Sequence, residues 1–212
     1  MALKEEFSKE LDKLKRMPSK DRLWYLWTYY KIWLAVFLGV VAIISVVATA
    51  VYNTSFTTRL AVAVVNNHSQ NIQYTEDLNE RLRQILDCGK KDRIEVNGGL
   101  FLGEDASGEN AYLSQTKLAA LMTSDALDVM IADEETIALY AEAGSLCDLG
   151  KELPEDVKKA APLSEESAYY LPIDGTWLME EGYLSQDCRC LAVLEDSPRK
   201  EAAFQMIRSL LP

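Results

Sequence analysis

Residues 127–144, LDVMIADEETIALYAEAG, hold a strand, a turn, a capped helix and a stop in eighteen positions. Leu127 to Ala132 is a short apolar strand. Asp133 stands where a side-chain oxygen accepts from the first free N–H groups of a helix, and Glu134 to Ala143 follows with helical spacing. Gly144 comes where a helix commonly ends on a left-handed residue.

The same alternation extends in both directions. Upstream, Arg59 to Asn66 (RLAVAVVN) is apolar on both faces, as in a strand buried inside a parallel sheet, and Tyr74 to Leu86 is a helix with Leu78, Leu82 and Ile85 on one stripe. Arg93 to Asn97 alternates as a strand that Gly98 and Gly99 end or bend, and Ala111 to Thr123 is a helix after the loop 103–110. Downstream, Leu153 to Ala161 reads as a weaker helix and Ala168 to Ile173 as a strand whose Pro172 places it at an edge or an end. After an Asp174-Gly175 turn and a poorly patterned 177–184, Cys188 to Leu194 is the fifth strand. Ser197-Pro198 then opens a last helix, Arg199 to Leu211. Strands alternating with helices at this spacing predict an α/β fold with one mostly parallel five-stranded sheet and flanking helices.

Ahead of this body lies IWLAVFLGVVAIISVVATAVY, residues 32–52, which carry no charge over the length a helix needs to cross a bilayer. Residues 1–31 hold eight Lys and Arg against five acids, net +3, whereas residues 32–212 hold fourteen against twenty-eight, net −14. Basic residues flanking an apolar span are retained on the cytoplasmic side, so the expected topology is a single pass with the N-terminus cytoplasmic and the body extracytoplasmic. Ala48-Thr49-Ala50 offers a cleavage site after Ala50, but the basic region and the apolar run are both longer than a signal peptide's, which favours a retained anchor. The expected organisation is a basic amphipathic and aromatic juxtamembrane segment (1–31), a transmembrane helix (32–52), a linker (53–58) and an extracytoplasmic α/β domain (59–212).

Within the first segment, Phe7, Leu11 and Leu14 mark an amphipathic helix over 5–17, Pro18 interrupts it, and Ser19 caps a second helix that runs toward the span. Trp24, Tyr25, Trp27, Tyr29, Tyr30 and Trp33 form an aromatic cluster suited to the headgroup layer of the inner leaflet. The lipid bilayer is therefore the first partner. The acidic body excludes nucleic acid, which needs clustered Lys and Arg.

The run from Leu127 to Leu149 resembles extracytoplasmic (periplasmic-type) solute-binding proteins. It carries Asp128-Val129 at the strand and the string A-E-A-G-S-L-C-D-L, Ala141 to Leu149. Tyr169-Tyr170-Leu171-Pro172 resembles the strand that re-enters the first lobe of such proteins, and Leu191 to Leu211 resembles their closing strand and helix. The second lobe is missing between the last two matches, so the resemblance implies one lobe on a stalk that binds a small polar solute or a membrane protein. The strings K-L-K-R-M, R-L-W-Y-L-W and Y-Y-K resemble membrane-anchored proteins of Gram-positive anaerobes.

In an open α/β sheet, ligands meet the carboxyl ends of the strands. That rule nominates Asn66, Asn67, His68, Asp133, Glu134, Asp174, Thr176 and Trp177 as candidate ligand contacts, with local turn and cap bonding as the competing role. His68 is the only histidine and has no nucleophile motif beside it, so the reading is a non-enzymatic binding or interaction module without cofactor or metal. The loop 104–110 lacks the alternating ligands and distal Glu of a calcium loop. Cys88, Cys147, Cys188 and Cys190 lack paired C-x-x-C knuckles for zinc. As disulfides they allow three pairings. One bonds each of Cys188 and Cys190, expected on the same strand face, to Cys88 or Cys147; reduced buried thiols are the alternative.

Overall fold

The computed structural model describes residues 19–103, 109–163 and 168–211. The helix expected over 5–17 and most of the loop 103–110 lie outside the described residues. The chain divides into two compact units, 1–55 and 56–212.

In the first unit one unbroken helix, α1, runs Ser19–Thr54. Among the described residues it is the one helix long and apolar enough to cross a membrane, over Lys31–Tyr52 with mean hydropathy 2.8. At about 1.5 Å per residue, its 36 residues reach about 54 Å, well beyond the hydrocarbon core. The aromatic stretch from Trp24 to Trp33 belongs to this same helix, which runs on without a break into the apolar run.

The second unit is built from β1 (Thr57–Val65), α2 (Tyr74–Ile85), β2 (Asp92–Leu100), α3 (Glu109–Thr123), β3 (Val129–Ala132) and α4 (Glu134–Glu142). It continues with α5 (Leu149–Glu152), α6 (Glu155–Ala160), β4 (Leu171–Pro172), α7 (Trp177–Glu180), β5 (Cys190–Val193) and α8 (Lys200–Leu210). The sheet order is β2-β1-β3-β5-β4. β1 pairs in parallel with β2 and β3, while β5 is antiparallel to β3 and β4. Four of the five strands therefore share one direction, as expected, and β5 alone opposes them. The β4–β5 connection holds only the four-residue α7, so the chain doubles back there instead of crossing over.

Alternate side chains leave opposite faces of the sheet. Leu60, Val62 and Val64 of β1 join Leu78 and Leu82 of α2 and Met206, Ile207 and Leu210 of α8 in the larger core layer. Ala63, Val65, Met130, Ala132 and Ala192 join Leu118 of α3 and Ile137 of α4 on the other face. At Gly98 a Cβ would lie 2.1 Å from the Tyr74 hydroxyl oxygen, so only glycine lets the start of α2 close against β2.

Two local expectations change. The weak helix expected over 153–161 is the shorter α6, beginning after Pro154, and a further short helix, α5, capped by Asp148, precedes it. Ser197 does not cap the last helix, which starts at Lys200. Its hydroxyl donates to Asp128 Oδ1 at 2.7 Å and accepts from Arg199 N at 3.2 Å.

Candidate functional site

β1 is the switch point of the sheet, because the chain leaves it for β2 on one side and returns to β3 on the other. Asn66 follows β1 directly, with φ at 56° in the left-handed region that asparagine tolerates. It is buried, and its amide nitrogen donates to Asp133 Oδ2 at 2.7 Å and to Thr136 Oγ1 at 3.3 Å. Its amide oxygen accepts from Leu102 N at 2.7 Å. Asp133 caps α4 as expected, accepting from Thr136 N at 2.8 Å and from the Thr136 hydroxyl at 2.9 Å.

Burial raises the Asp133 pKa, but the hydrogen bonds from Thr136 and Asn66 outweigh it and hold the carboxyl below its ordinary value. A folded pKa below the unfolded one gives stability that is fully present above the unfolded carboxylate range and is lost as pH falls through the folded pKa. Asp133→Ala is thus expected to cost about 1 kcal/mol at neutral pH. That difference should close in acid, as read from urea midpoints across the titration. A gap that persists after protonation would contradict the assignment.

Asn67 is buried beside it and serves a different loop. Its amide nitrogen donates to Tyr183 O at 3.1 Å and its oxygen accepts from Ser185 N at 2.8 Å and Ser69 N at 3.1 Å. His68 is exposed, its backbone N–H donates to Ser185 Oγ at 3.2 Å, and its ring packs on Phe101 with centroids 5.4 Å apart. Glu134 accepts from the Tyr170 hydroxyl at 3.1 Å.

The remaining three candidates follow β4. Asp174 and Thr176 follow the edge strand β4, where Asp174 meets Arg189 at 3.8 Å and Thr176 donates to Ile173 O at 2.6 Å. Trp177 does not face a rim. Its indole N–H donates to Ser209 O in α8 at 3.1 Å, Tyr183 meets it edge-on at 6.0 Å, and the Arg81 guanidinium lies 5.5 Å over its ring.

The sheet thus brings Asn66, Asn67, His68, Asp133 and Glu134 to one end; Asp174 and Thr176 follow β4 at that same end, beyond β5, and bond to Arg189 and Ile173. An open groove of about 670 Å³ lies there, lined by Asn66, Leu102, Asp133, Thr136, Ala138 and Leu139. Glu135 and Glu142, both exposed, also line it, while the Asn66 amide and the Asp133 carboxylate in its wall are occupied by internal bonds. Thr136, Tyr183 and Ser185, which complete these networks, are not singled out by the sequence reading. Only Thr136 had a local signal, three residues past a cap.

All four cysteines are unbridged in the structure. Cys147 and Cys188 belong to the larger core layer and Cys190 to the opposite one, so the expectation that Cys188 and Cys190 share a face does not hold. Cys188 lies before β5 begins, in a turn that aims its thiol at Val65 O, 3.1 Å away. Burial is the main cause that pushes the Cys147 and Cys190 thiols up to about 12 and also raises Cys88. Such protonated thiols are poor nucleophiles and ligands at neutral pH. Cys147 lies near Glu152 and Glu195, but Lys200 Nζ already sits 2.7 Å from Glu152 and 3.8 Å from Glu195 and supplies the positive charge.

No protein-family model matches the chain, and no curated protein does. Among solved structures, it is similar to an extracellular solute-binding protein family 1 from Alicyclobacillus acidocaldarius, at 17% identity and a TM-score of 0.35, over 55% of this chain and 28% of that one. The N-glycan transport solute binding protein NgtS from Streptococcus pneumoniae is similar at 16% identity and a TM-score of 0.32, over 55% of this chain and 25% of that one. The same protein in complex with Man1GlcNAc matches at 15% identity and a TM-score of 0.32, over 57% of this chain and 25% of that one. The chain therefore spans about a quarter of the length of these proteins.

Proposed function

We propose that this chain is a membrane-tethered, extracytoplasmic interaction module without enzymatic activity, related to one lobe of a solute-binding protein and engaging a membrane protein. The observation that supports it most is the succession of a strongly apolar helical span, Lys31–Tyr52, and a separate α/β unit. The basic excess before the span orients the α/β unit outward. A protein fits the module better than a small polar solute, because the polar side chains at the switch point are spent on internal bonds and the groove beside them is open. A second reading, an accessory or sensory subunit acting through its cytoplasmic head, draws on α1 starting twelve residues before Lys31. That extension is about 18 Å of helix available to a cytoplasmic or membrane partner.

Two measurements on whole cells test this. A membrane-impermeant maleimide is expected to label Lys159→Cys in intact cells and Lys4→Cys only after permeabilisation, each against the unsubstituted chain; the reverse pattern would overturn the topology. A photo-crosslinking residue at position 159 is then expected to give a discrete adduct. Adducts formed only from position 27 would favour the second reading.

A further inference from the structure

We infer that α3 is a twofold contact between two copies of this chain, packed helix on helix in antiparallel fashion. The helix reads ENAYLSQTKLAALMT, with eight apolar residues in fifteen. Among those described, only Ser114 and Leu118 are buried, while Tyr112 is 69% and Leu113 55% exposed. A surface helix normally hides its apolar residues against its own domain. Tyr112, Leu113, Thr116, Ala119, Ala120 and Thr123 instead share one outward arc at 100° per residue, opposite Ser114 and Leu118.

Charge selects the occupant. α3 opens on Glu109, just as every other helix of the α/β unit carries an acid in its first turn, but from Asn110 to Ser124 there is no carboxylate and one cation, Lys117. Residues 32–212 have a net charge of −14, so two copies repel wherever acidic faces meet. A basic partner would be drawn to those faces. The outward arc of α3 is uncharged, and it matches a surface of its own kind.

Size supplies the register. Large side chains stand near the N-terminal end of the arc and small ones near the C-terminal end. Antiparallel pairing about Thr116 sets Tyr112 against Ala120, and Leu113 against Ala119, of the second copy, with each contact made twice. Lys117 then faces Gln115, so no like charges are opposed. Small residues permit the close approach such helix packing needs.

The test uses the full chain in detergent under mild oxidation. Thr116→Cys is expected to give a covalent dimer at least tenfold more abundant than that from Lys159→Cys or from the unsubstituted chain. Adding Ala120→Glu to Thr116→Cys should remove that dimer while leaving the circular dichroism spectrum unchanged. Light scattering gives an independent reading, in which Ala120→Glu alone should lower the protein mass from two copies to one. Equal crosslinking from positions 116 and 159, a crosslink that survives Ala120→Glu, or a monomeric unsubstituted chain would each overturn the contact.

Discussion

Asp128→Ala is expected to destabilise the α/β unit by about 3–5 kcal/mol, the range for removing one partner of a buried ion pair. Asp128 is completely buried. Its Oδ2 accepts from Ala61 N and from Arg199 Nε, each at 2.7 Å, and its Oδ1 accepts from the Ser197 hydroxyl at 2.7 Å. Its backbone joins the same junction, donating to Ala61 O at 3.0 Å and accepting from Leu194 N at 2.9 Å. One residue therefore ties β1, β3 and the turn into α8. Alanine would leave a mostly buried guanidinium and two further donors without their acceptor. Against a typical domain stability of about 5–15 kcal/mol, this is a large fraction. Asp128→Asn keeps an acceptor oxygen and should cost less, about 1–3 kcal/mol. Urea unfolding followed by circular dichroism separates the two; an alanine variant with an unshifted midpoint would show that the pair carries no net weight.

This junction was only partly visible in the sequence. Asp128 enters there as half of an Asp-Val match, and Ser197 as a helix cap. Both readings use neighbours in sequence, whereas the bonds that decide the roles of these residues span about seventy positions. By contrast, β1, β3 and the stripe of α2 were legible because each depends on a period of apolar residues that its own segment carries. The direction of β5 was not, because pairing sense depends on how the chain returns from β4 and not on the apolar run itself. The cysteine faces failed for a related reason. Alternation was applied to Cys188 and Cys190 as one strand, but the strand begins at Cys190.

The candidate site shows the same division. Asn66 and Asp133, nominated from strand ends as ligand contacts, lie side by side because both follow central parallel strands. Trp177 follows an edge strand of two residues, and its indole is claimed by α8 and Arg81. Burial of an aromatic body with a satisfied N–H outweighs exposure at a rim, and no local pattern announces it.

Asn66→Ala should have the second largest effect, about 2–4 kcal/mol, and Asn66→Gly should separate its two causes. The side chain is a three-way bridge, with donors to Asp133 and Thr136 at the start of α4 and an acceptor for Leu102 N beyond β2. Losing it leaves the partly buried Leu102 N–H without its acceptor and Asp133 Oδ2 with the Thr136 hydroxyl as its remaining donor, at about 1–3 kcal/mol for such a loss. The backbone adds a further term, because alanine is strained at a φ of 56° where asparagine and glycine are tolerated. Glycine removes the bridge but not the conformation, so its cost reports the hydrogen bonds alone, and the alanine-minus-glycine difference reports the backbone. The bridge also sets the Asp133 carboxyl. Without the Asn66 donor, its pKa should rise toward the ordinary value, and the acid limb of the stability curve should move to higher pH in both variants. An acid limb that stays in place while the neutral-pH midpoint falls would mean that Asn66 acts through packing and that the Thr136 bonds alone hold the carboxyl down.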